Sequence, residues 1–380
     1  MAKNRSRIKE NEPVGIKNIA QALKVSIGTV DRALHNRPGV SDSTKHRVLQ
    51  MAGELGYKPN LAAQALKLNR RLSIAAVLPR EISHFFGPLR NGITAAAGAP
   101  VSTRISLTFH EFPRLGAGEA EAFDHATASH CDGLIVVPGN MRKLETAFRK
   151  LAHAGTAIMC VGNDAPNTER VGSVTAHASV SGAMAAEVLA LKLSHKASVA
   201  IFSGELSMLD HAEKLRGFAA TLAVQAPHLS LMPALESHER PEDAYRQARR
   251  LMKQRNRPDG LYLSTANSMP VLEALDELNL LGEVQIITTD LYQELTPLLE
   301  SGKVLATLHQ RPHTQGKLAF ENLLQYLLRG EGESTPNHVR LAPHIVFRSN
   351  LSLFSTGLPE REDELKATAR SAPEHGGVVG

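Results

Sequence analysis

The chain has 380 residues and a formal net charge of +5, with 43 Lys and Arg against 38 Asp and Glu. No apolar run approaches the roughly 20 residues that a membrane-spanning helix needs, so we predict no transmembrane segment. The charge is uneven, because residues 1–72 hold 14 Lys and Arg against 5 Asp and Glu, whereas the other 308 residues hold 29 against 33. This distribution indicates that the first fifth of the chain binds nucleic acid phosphates.

Residues 1–13 form a polar arm that precedes the first apolar pattern. Its basic residues are Lys3, Arg5, Arg7 and Lys9, and they show no helical periodicity. We predict that the arm is disordered in the free protein. Its role is either to contact DNA phosphates or only to keep the terminus soluble.

Residues 14–58 have the pattern of three short helices around a small core, with a tight turn between the first two. Ser26 can cap the second helix and Ser41 the third, because their hydroxyls can accept a bond from an orphan backbone N–H. The positions predicted to be buried from their helical spacing are Ile16, Ile19, Ala20, Leu23, Val30, Ala33, Leu34, Val48, Ala52 and Leu55.

This order of helices is typical of a helix-turn-helix domain, in which the N-terminal half of the second helix enters the major groove. Asp31 would repel phosphate, so we expect it to accept from cytosine N4 or to pair with Arg32 or Lys24. A three-helix bundle without a DNA role is the alternative, and the positive charge argues against it. The residues predicted to contact DNA here are Ser26, Ile27, Gly28, Thr29, Asp31, Arg32 and Asn36.

The segments IAQALKVS, TVDRAL and RVLQMAGELGYKPN, followed by AQAL, resemble the headpiece of the lactose-repressor (LacI/GalR) family of bacterial transcription regulators. The resemblance implies a homodimer that binds a pseudo-palindromic double-stranded DNA operator, with tetramers possible. Three departures stand out. Leu23-Lys24 replaces the family's usual Ala-Gly, and Asp31 stands where the family often has a Ser that contacts phosphate. Gly28 stands where a longer base-reading side chain is common, which implies a different operator sequence.

Residues 59–71 read as a hinge helix and linker. The stretch LAAQALK is too short to form a stable isolated helix in water, so we expect it to form only with a second copy and DNA. By resemblance to the family, Asn60, Ala63 and Leu66 contact DNA, and Leu66 wedges into the minor groove. The alternative is that Leu66 packs under the following domain.

Residues 72–356 alternate between short apolar runs and amphipathic segments, which predicts a parallel, doubly wound α/β architecture. The predicted strands are 73–79, 105–112, 133–139, 157–162, 197–204, 260–265 and 284–290. The predicted helices are 88–97, 119–129, 142–154, 178–194, 210–224, 241–255 and 270–279.

This region resembles the two-lobed fold that periplasmic sugar-binding proteins share with the regulator family. The whole fold class is therefore an all-α helix-turn-helix headpiece with a hinge helix, followed by a two-lobed α/β periplasmic-binding-protein-like domain. We expect the first lobe at 73–163 and 311–340 and the second at 164–310 and 341–355. Residues 357–380 are predicted to be a flexible tail.

Ligands of open α/β sheets bind beyond the carboxyl ends of the strands, and polar or aromatic residues there suit a polyhydroxylated ligand. For any one of them, capping of the next helix is the alternative role. Lys214 stands where the family usually has an Arg, so a phosphorylated or acidic sugar is one possible ligand. The residues predicted to bind the effector are Phe85, Phe86, Asn140, Asp164, Lys214, Asn267, Asp290 and Gln310.

These patterns predict a cytoplasmic, sequence-specific transcriptional regulator, and by family habit a repressor of sugar-utilisation genes that a sugar-like effector releases. The alternatives are a regulator that binds DNA more tightly with effector, and a non-regulatory sugar-binding protein. No GxSxG, P-loop or GxGxxG pattern is present, so neither an enzyme nor a cofactor is predicted. No metal site is expected, since Pro312 interrupts the spacing of His309 and His313. Cys131 and Cys160 are predicted to be core residues.

Overall fold

The computed structural model describes residues 14–34, 38–55, 57, 71–98, 104–329 and 337–355. The arm, the tail and the hinge helix therefore lie outside the described residues, as do Asn36, Asn60, Ala63 and Leu66. Of the helices that are described, none is long and apolar enough to cross a membrane.

The described helices number from the headpiece to the C-terminal end. They are α1 (Ile16–Leu23), α2 (Ile27–Leu34), α3 (Asp42–Glu54), α4 (Ser83–Ala97), α5 (Glu119–Ala128), α6 (Met141–His153), α7 (Ala178–Lys192), α8 (Leu209–Gln225), α9 (Pro241–Met252), α10 (Met269–Glu277), α11 (Thr296–Glu300), α12 (Pro312–Arg329) and α13 (Ser352–Ser355).

The described strands all lie between residues 72 and 347. They are β1 (Leu72–Pro79), β2 (Ile105–Phe112), β3 (Gly133–Val136), β4 (Ala157–Val161), β5 (Gly172–Ala176), β6 (Ala197–Ser203), β7 (Leu229–Leu231), β8 (Leu235–Glu236), β9 (Gly260–Leu263), β10 (Gln285–Thr289), β11 (Ala306–His309), β12 (Asn337–Leu341) and β13 (His344–Phe347).

The headpiece is built from α1, α2 and α3 around six buried apolar residues. Ile19, Val30 and Val48 are completely buried at its centre, one from each helix. Lys24 ends α1 in the left-handed conformation, with φ of +55°. That conformation favours glycine, which gives a physical reason for the Gly that the family usually carries here.

The first lobe is a six-stranded parallel sheet in the order β12-β5-β4-β3-β1-β2. Strand residues alternate between two faces, so Ile74 and Ala76 join α4 and α12 while Ala75 and Val77 join α5 and α6. Both faces are covered, which explains the continuous apolar runs of these strands.

The second lobe repeats this plan with a seven-stranded sheet. Its order is β13-β11-β10-β9-β6-β7, with β8 also paired to β6. Helices α7 and α8 cover one face, and α9 and α10 cover the other. Only β13 runs antiparallel, beside β11. The predicted α/β two-lobed fold is confirmed.

The chain crosses between the sheets three times, after β5, after β11 and after β12. The expected boundary at residues 163 and 164 was wrong, because β5 pairs with β4 and β12 in the first sheet. Strand β5, whose sequence is GSVTA, carries too little apolar pattern to be recognised. Helix α4 also begins at Ser83, five residues before the predicted start.

Reciprocal glycines allow two helices to touch closely in each lobe. A Cβ on Gly92 of α4 would lie 2.0 Å from the His313 carbonyl oxygen, and one on Gly316 of α12 would lie 2.0 Å from that of Leu89. In the second lobe a Cβ on Gly182 of α7 would meet the Lys214 carbonyl oxygen at 2.0 Å. The backbone of α8, and with it Lys214, is therefore set by the absence of a side chain at residue 182.

Gly92→Ala should destabilise the first lobe by about 1–3 kcal/mol, because the new methyl group must push α12 away from α4. The matched control is Gly87→Ala in the same helix, where a Cβ would meet nothing within 4 Å. This control should be neutral or stabilising by up to about 1 kcal/mol, owing to helix propensity. Thermal unfolding of the full chain, followed by circular dichroism, measures both. Equal melting temperatures for the two variants would contradict close packing at Gly92.

Candidate functional site

A cavity opens between the two lobes at the carboxyl ends of the strands, with about 450 Å³ of empty volume including the part open to solvent. The first lobe supplies most of the apolar wall. This part is lined by Ile82, Phe85, Phe86, Leu115 and Val137, and the second lobe adds Met208.

Phe85 and Phe86 lie in the first turn of α4, directly after the β1 strand. Their rings pack edge to face with centroids 5.0 Å apart. Both are almost fully buried, yet both reach the cavity wall. The predicted aromatic pair is thus placed where it could cover an apolar face of a ligand.

The polar wall comes mainly from the second lobe. Of the predicted polar residues, Lys214 and Gln310 line the cavity. The other polar residues of the wall were not among the predicted effector contacts, and they are Asn163, Asp210, His211, Glu239 and Thr265.

Lys214 is the centre of this wall and is only 1% exposed. Its ammonium group contacts Asp210 Oδ2 at 2.6 Å and donates to Gln310 Oε1 at 2.9 Å and to the Ser264 carbonyl at 3.2 Å. An isolated buried ammonium would be very costly, and these partners offset that cost.

Gln310 is held in turn by Asp290. Its side-chain amide donates to Asp290 Oδ2 at 2.7 Å, and its backbone N–H donates to Oδ1 at 2.9 Å. Burial alone would raise the pKa of Asp290, but the nearby His309, whose Nδ1 lies 3.7 Å from Oδ1, and the hydrogen bonds from Gln310 outweigh it and hold the pKa below its usual value. Asp290 therefore acts from behind the cavity wall, by fixing Gln310 at a crossover between the lobes.

Glu239 forms a second polar group with His211 and Thr265. The Thr265 hydroxyl donates to the Glu239 carboxylate at 3.0–3.1 Å, and His211 Nε2 lies 3.2 Å from Glu239 Oε1. Glu239 has a φ of +55°, and the preceding His238 has +50°. Such conformations cost free energy in non-glycine residues and gather at functional sites.

Three of the remaining predicted residues have other partners and do not line the cavity. The Asn140 side chain caps α6 by accepting from the Arg142 N–H at 3.1 Å. Asp164 forms a bidentate ion pair with Arg170 at 2.5 and 2.9 Å. The Asn267 backbone N–H donates to Thr265, and its side chain lies outside the cavity wall.

Some of the missed residues left a sequence signal. Asp210 and Lys214 have the i,i+4 spacing of a helical ion pair, which could have identified Asp210. Asn163 stands at a strand end next to the chosen Asp164. Glu239 lies in an irregular turn between β8 and α9, where no periodicity points to it.

The two lobes touch each other beside the cavity. Asn163 of the first lobe accepts a hydrogen bond from the Asp210 backbone N–H of the second at 3.1 Å. His84 Nε2 lies 2.6 Å from the Ala266 carbonyl, and its ring lies 4.3 Å from that of Tyr292. The structure thus shows the lobes in contact across the cleft.

The headpiece presents the N-terminal end of α2 to solvent. Ser26 caps the helix by accepting from the Thr29 N–H at 3.0 Å. Ile27, Gly28 and Arg32 are exposed, whereas Thr29 and Asp31 are half-buried. Burial raises the pKa of Tyr57, and the negative charge of Asp31 raises it further.

Lys214→Met should destabilise the chain by about 3–5 kcal/mol, because it leaves the buried Asp210 carboxylate without a counter-charge. The double variant Lys214→Met, Asp210→Leu should recover most of that loss, since neither charge is then buried alone. Chemical denaturation of the two variants and of Asp210→Leu completes the thermodynamic cycle. Additive losses in the double variant would contradict the pairing.

Comparisons with known proteins agree with this arrangement. Residues 15–60 match the family described as bacterial regulatory proteins, lacI family, and residues 74–332 match the periplasmic binding protein domain. Catabolite control protein A of Priestia megaterium is 22% identical over 342 residues, covering 89% of this chain and 99% of that protein. The HTH-type transcriptional repressor PurR of Haemophilus influenzae is 23% identical over 344 residues, covering 88% and 98%.

Among solved structures, an ABC transporter solute-binding protein from Burkholderia graminis, in complex with D-arabinose, has a TM-score of 0.68 and 18% identity. The matched region covers 74% of this chain and 97% of the solute-binding protein. At 18% identity this likeness shows the fold alone. The family matches together span the headpiece and both lobes. The chain belongs to the periplasmic binding protein domain family, and at its N-terminus it carries the DNA-binding domain of the lacI family of bacterial regulatory proteins.

Proposed function

We propose that this chain represses transcription by binding a DNA operator through its headpiece, and that a sugar-like effector in the interlobe cavity releases it. The observation that supports the proposal is a cavity walled by both lobes on the same chain as a helix-turn-helix domain with an exposed α2. The two relatives described above, which match over nearly their whole length, are a catabolite control protein and an HTH-type transcriptional repressor.

A ligand in the cavity would contact both lobes at once. Phe85 and Phe86 come from the first lobe, whereas Lys214 and Glu239 come from the second. A ligand that fits one lobe arrangement better than another shifts the balance between them. The headpiece precedes β1 of the first lobe in sequence, so in a homodimer this shift would change the separation of the two headpieces.

The DNA partner is a pseudo-palindromic operator read by two headpieces. Ile27 and Gly28 are exposed in the first turn of α2, which is the part of such a helix that reads base edges. Arg32 is exposed in the last turn of the same helix. Contacts by Asn36, Asn60, Ala63 and Leu66 remain predictions. So does the minor-groove wedge at Leu66.

Arg32→Ala should weaken operator binding by about 1–3 kcal/mol if this side chain reaches a base, while effector binding stays unchanged. The matched control is Arg142→Ala, which removes the same charge from an exposed position on α6. Titration of a labelled operator by fluorescence anisotropy, at two salt concentrations, measures both variants. An equal loss in the control would show that overall charge, and not α2, sets the affinity.

The sign of the response is testable with the purified full chain. Genomic fragments captured by the protein should share a short pseudo-palindrome, and one sugar-like compound should lower its affinity tenfold or more. Release by that compound supports repression relieved by effector. Tighter binding in its presence would overturn the sign of the proposal, and capture without any shared sequence would overturn operator recognition.

A further inference from the structure

The charge balance of the cavity decides which ligands it can hold. Lys214 is the one lysine or arginine among the described residues that line it, and Asp210 and Glu239 supply two carboxylates. His211 adds a positive charge only when it is protonated, and its Nε2 already faces Glu239 Oε1 at 3.2 Å. The wall therefore offers no excess of positive charge to an anionic ligand.

Lys214 has no N–H left to give. A lysine ammonium carries three donors, and here they meet Asp210 Oδ2, Gln310 Oε1 and the Ser264 carbonyl. A phosphate or carboxylate could use this ammonium only by displacing one of those buried partners. The displaced acceptor would then be left without a donor, which is unfavourable in a buried site.

The polar atoms that remain open are of a different kind. Asp210 Oδ1 and His211 Nδ1 are both buried, and neither has a hydrogen-bond partner among the described residues. An open carboxylate oxygen can only accept, so its natural ligand is a hydroxyl or ammonium donor. Phe85 and Phe86 of the first lobe line the same cavity and add apolar surface to it.

We propose that the effector is an uncharged, hydroxyl-rich monosaccharide or cyclic polyol, and that one of its hydroxyls donates to Asp210 Oδ1. This inference rests on the proposed function and narrows its ligand class. It excludes the sugar phosphates and sugar acids that the Lys at position 214 suggested from sequence alone. Asp210 becomes the specificity-determining residue, because it cancels the charge of Lys214 and presents the free acceptor.

The test is isothermal titration calorimetry of the full chain with a set of uncharged sugars and polyols and a set of related acidic sugars. D-glucose, D-galactose, D-arabinose and myo-inositol are compared with glucose 6-phosphate, glucuronate, galacturonate and arabinose 5-phosphate, and glucosamine adds a cation. At least one uncharged compound should bind, and its acidic derivative should bind at least 100-fold more weakly. An acidic derivative that binds more tightly than its parent overturns the inference and leaves the proposed repressor function intact.

Asp210→Asn supplies a second, independent readout. It should weaken binding of the uncharged ligand at least tenfold, because the acceptor oxygen of Asp210 is lost. It should also reduce the difference in affinity between that ligand and its acidic derivative, because the charge of Lys214 is no longer cancelled. Glu213→Gln, on the same helix but outside this cavity, should change neither. An unchanged preference in Asp210→Asn overturns the role of Asp210. Binding by acidic sugars alone overturns this inference and leaves the proposed function standing. No binding by any compound of either set, with operator binding intact, overturns both this inference and the sugar part of the proposed function.

Discussion

The buried ammonium of Lys214 is the constraint around which the polar half of the cleft is organised. Desolvation of a charge is so unfavourable that a buried ammonium group needs an acceptor for each of its N–H donors. Asp210 cancels the charge, Gln310 and the Ser264 carbonyl accept its remaining donors, and Asp290 holds Gln310 in place. A helix of one lobe and a crossover between the lobes are joined by this single requirement.

The two lobes pack their helices and sheets in the same way. Each has a sheet covered on both faces, and in each a pair of helices meets through glycines whose missing side chains allow backbone contact. In the second lobe this contact lies at the Lys214 carbonyl itself, where Gly182 faces it. Helix packing and ligand chemistry are therefore not independent at this position.

The sequence predicted what depends on periodicity and failed where long-range pairing decides. The headpiece helices and the long apolar strands follow from local spacing and were placed correctly. Phe85 and Phe86, chosen because they follow the first strand and match the family's aromatic pair, line the cavity. Strand β5 was missed because its small and polar residues carry little apolar pattern, and its place is set by pairing with β4 and β12. Glu239 was missed because it lies in a turn with two left-handed residues, and such a turn leaves no periodic signal in the sequence.

The side chain and the backbone of Asp210 have different roles, one in the cavity and one in the contact between the lobes. Its side chain pairs with Lys214 in the cavity, while its backbone N–H donates to Asn163 of the opposite lobe. An engineer who alters position 210 to accept a new ligand would therefore also risk displacing a contact that joins the lobes. A biosensor built on this scaffold would be easier to retune from the aromatic side of the cavity, where Phe85 and Phe86 make no such polar link across the cleft among the described contacts.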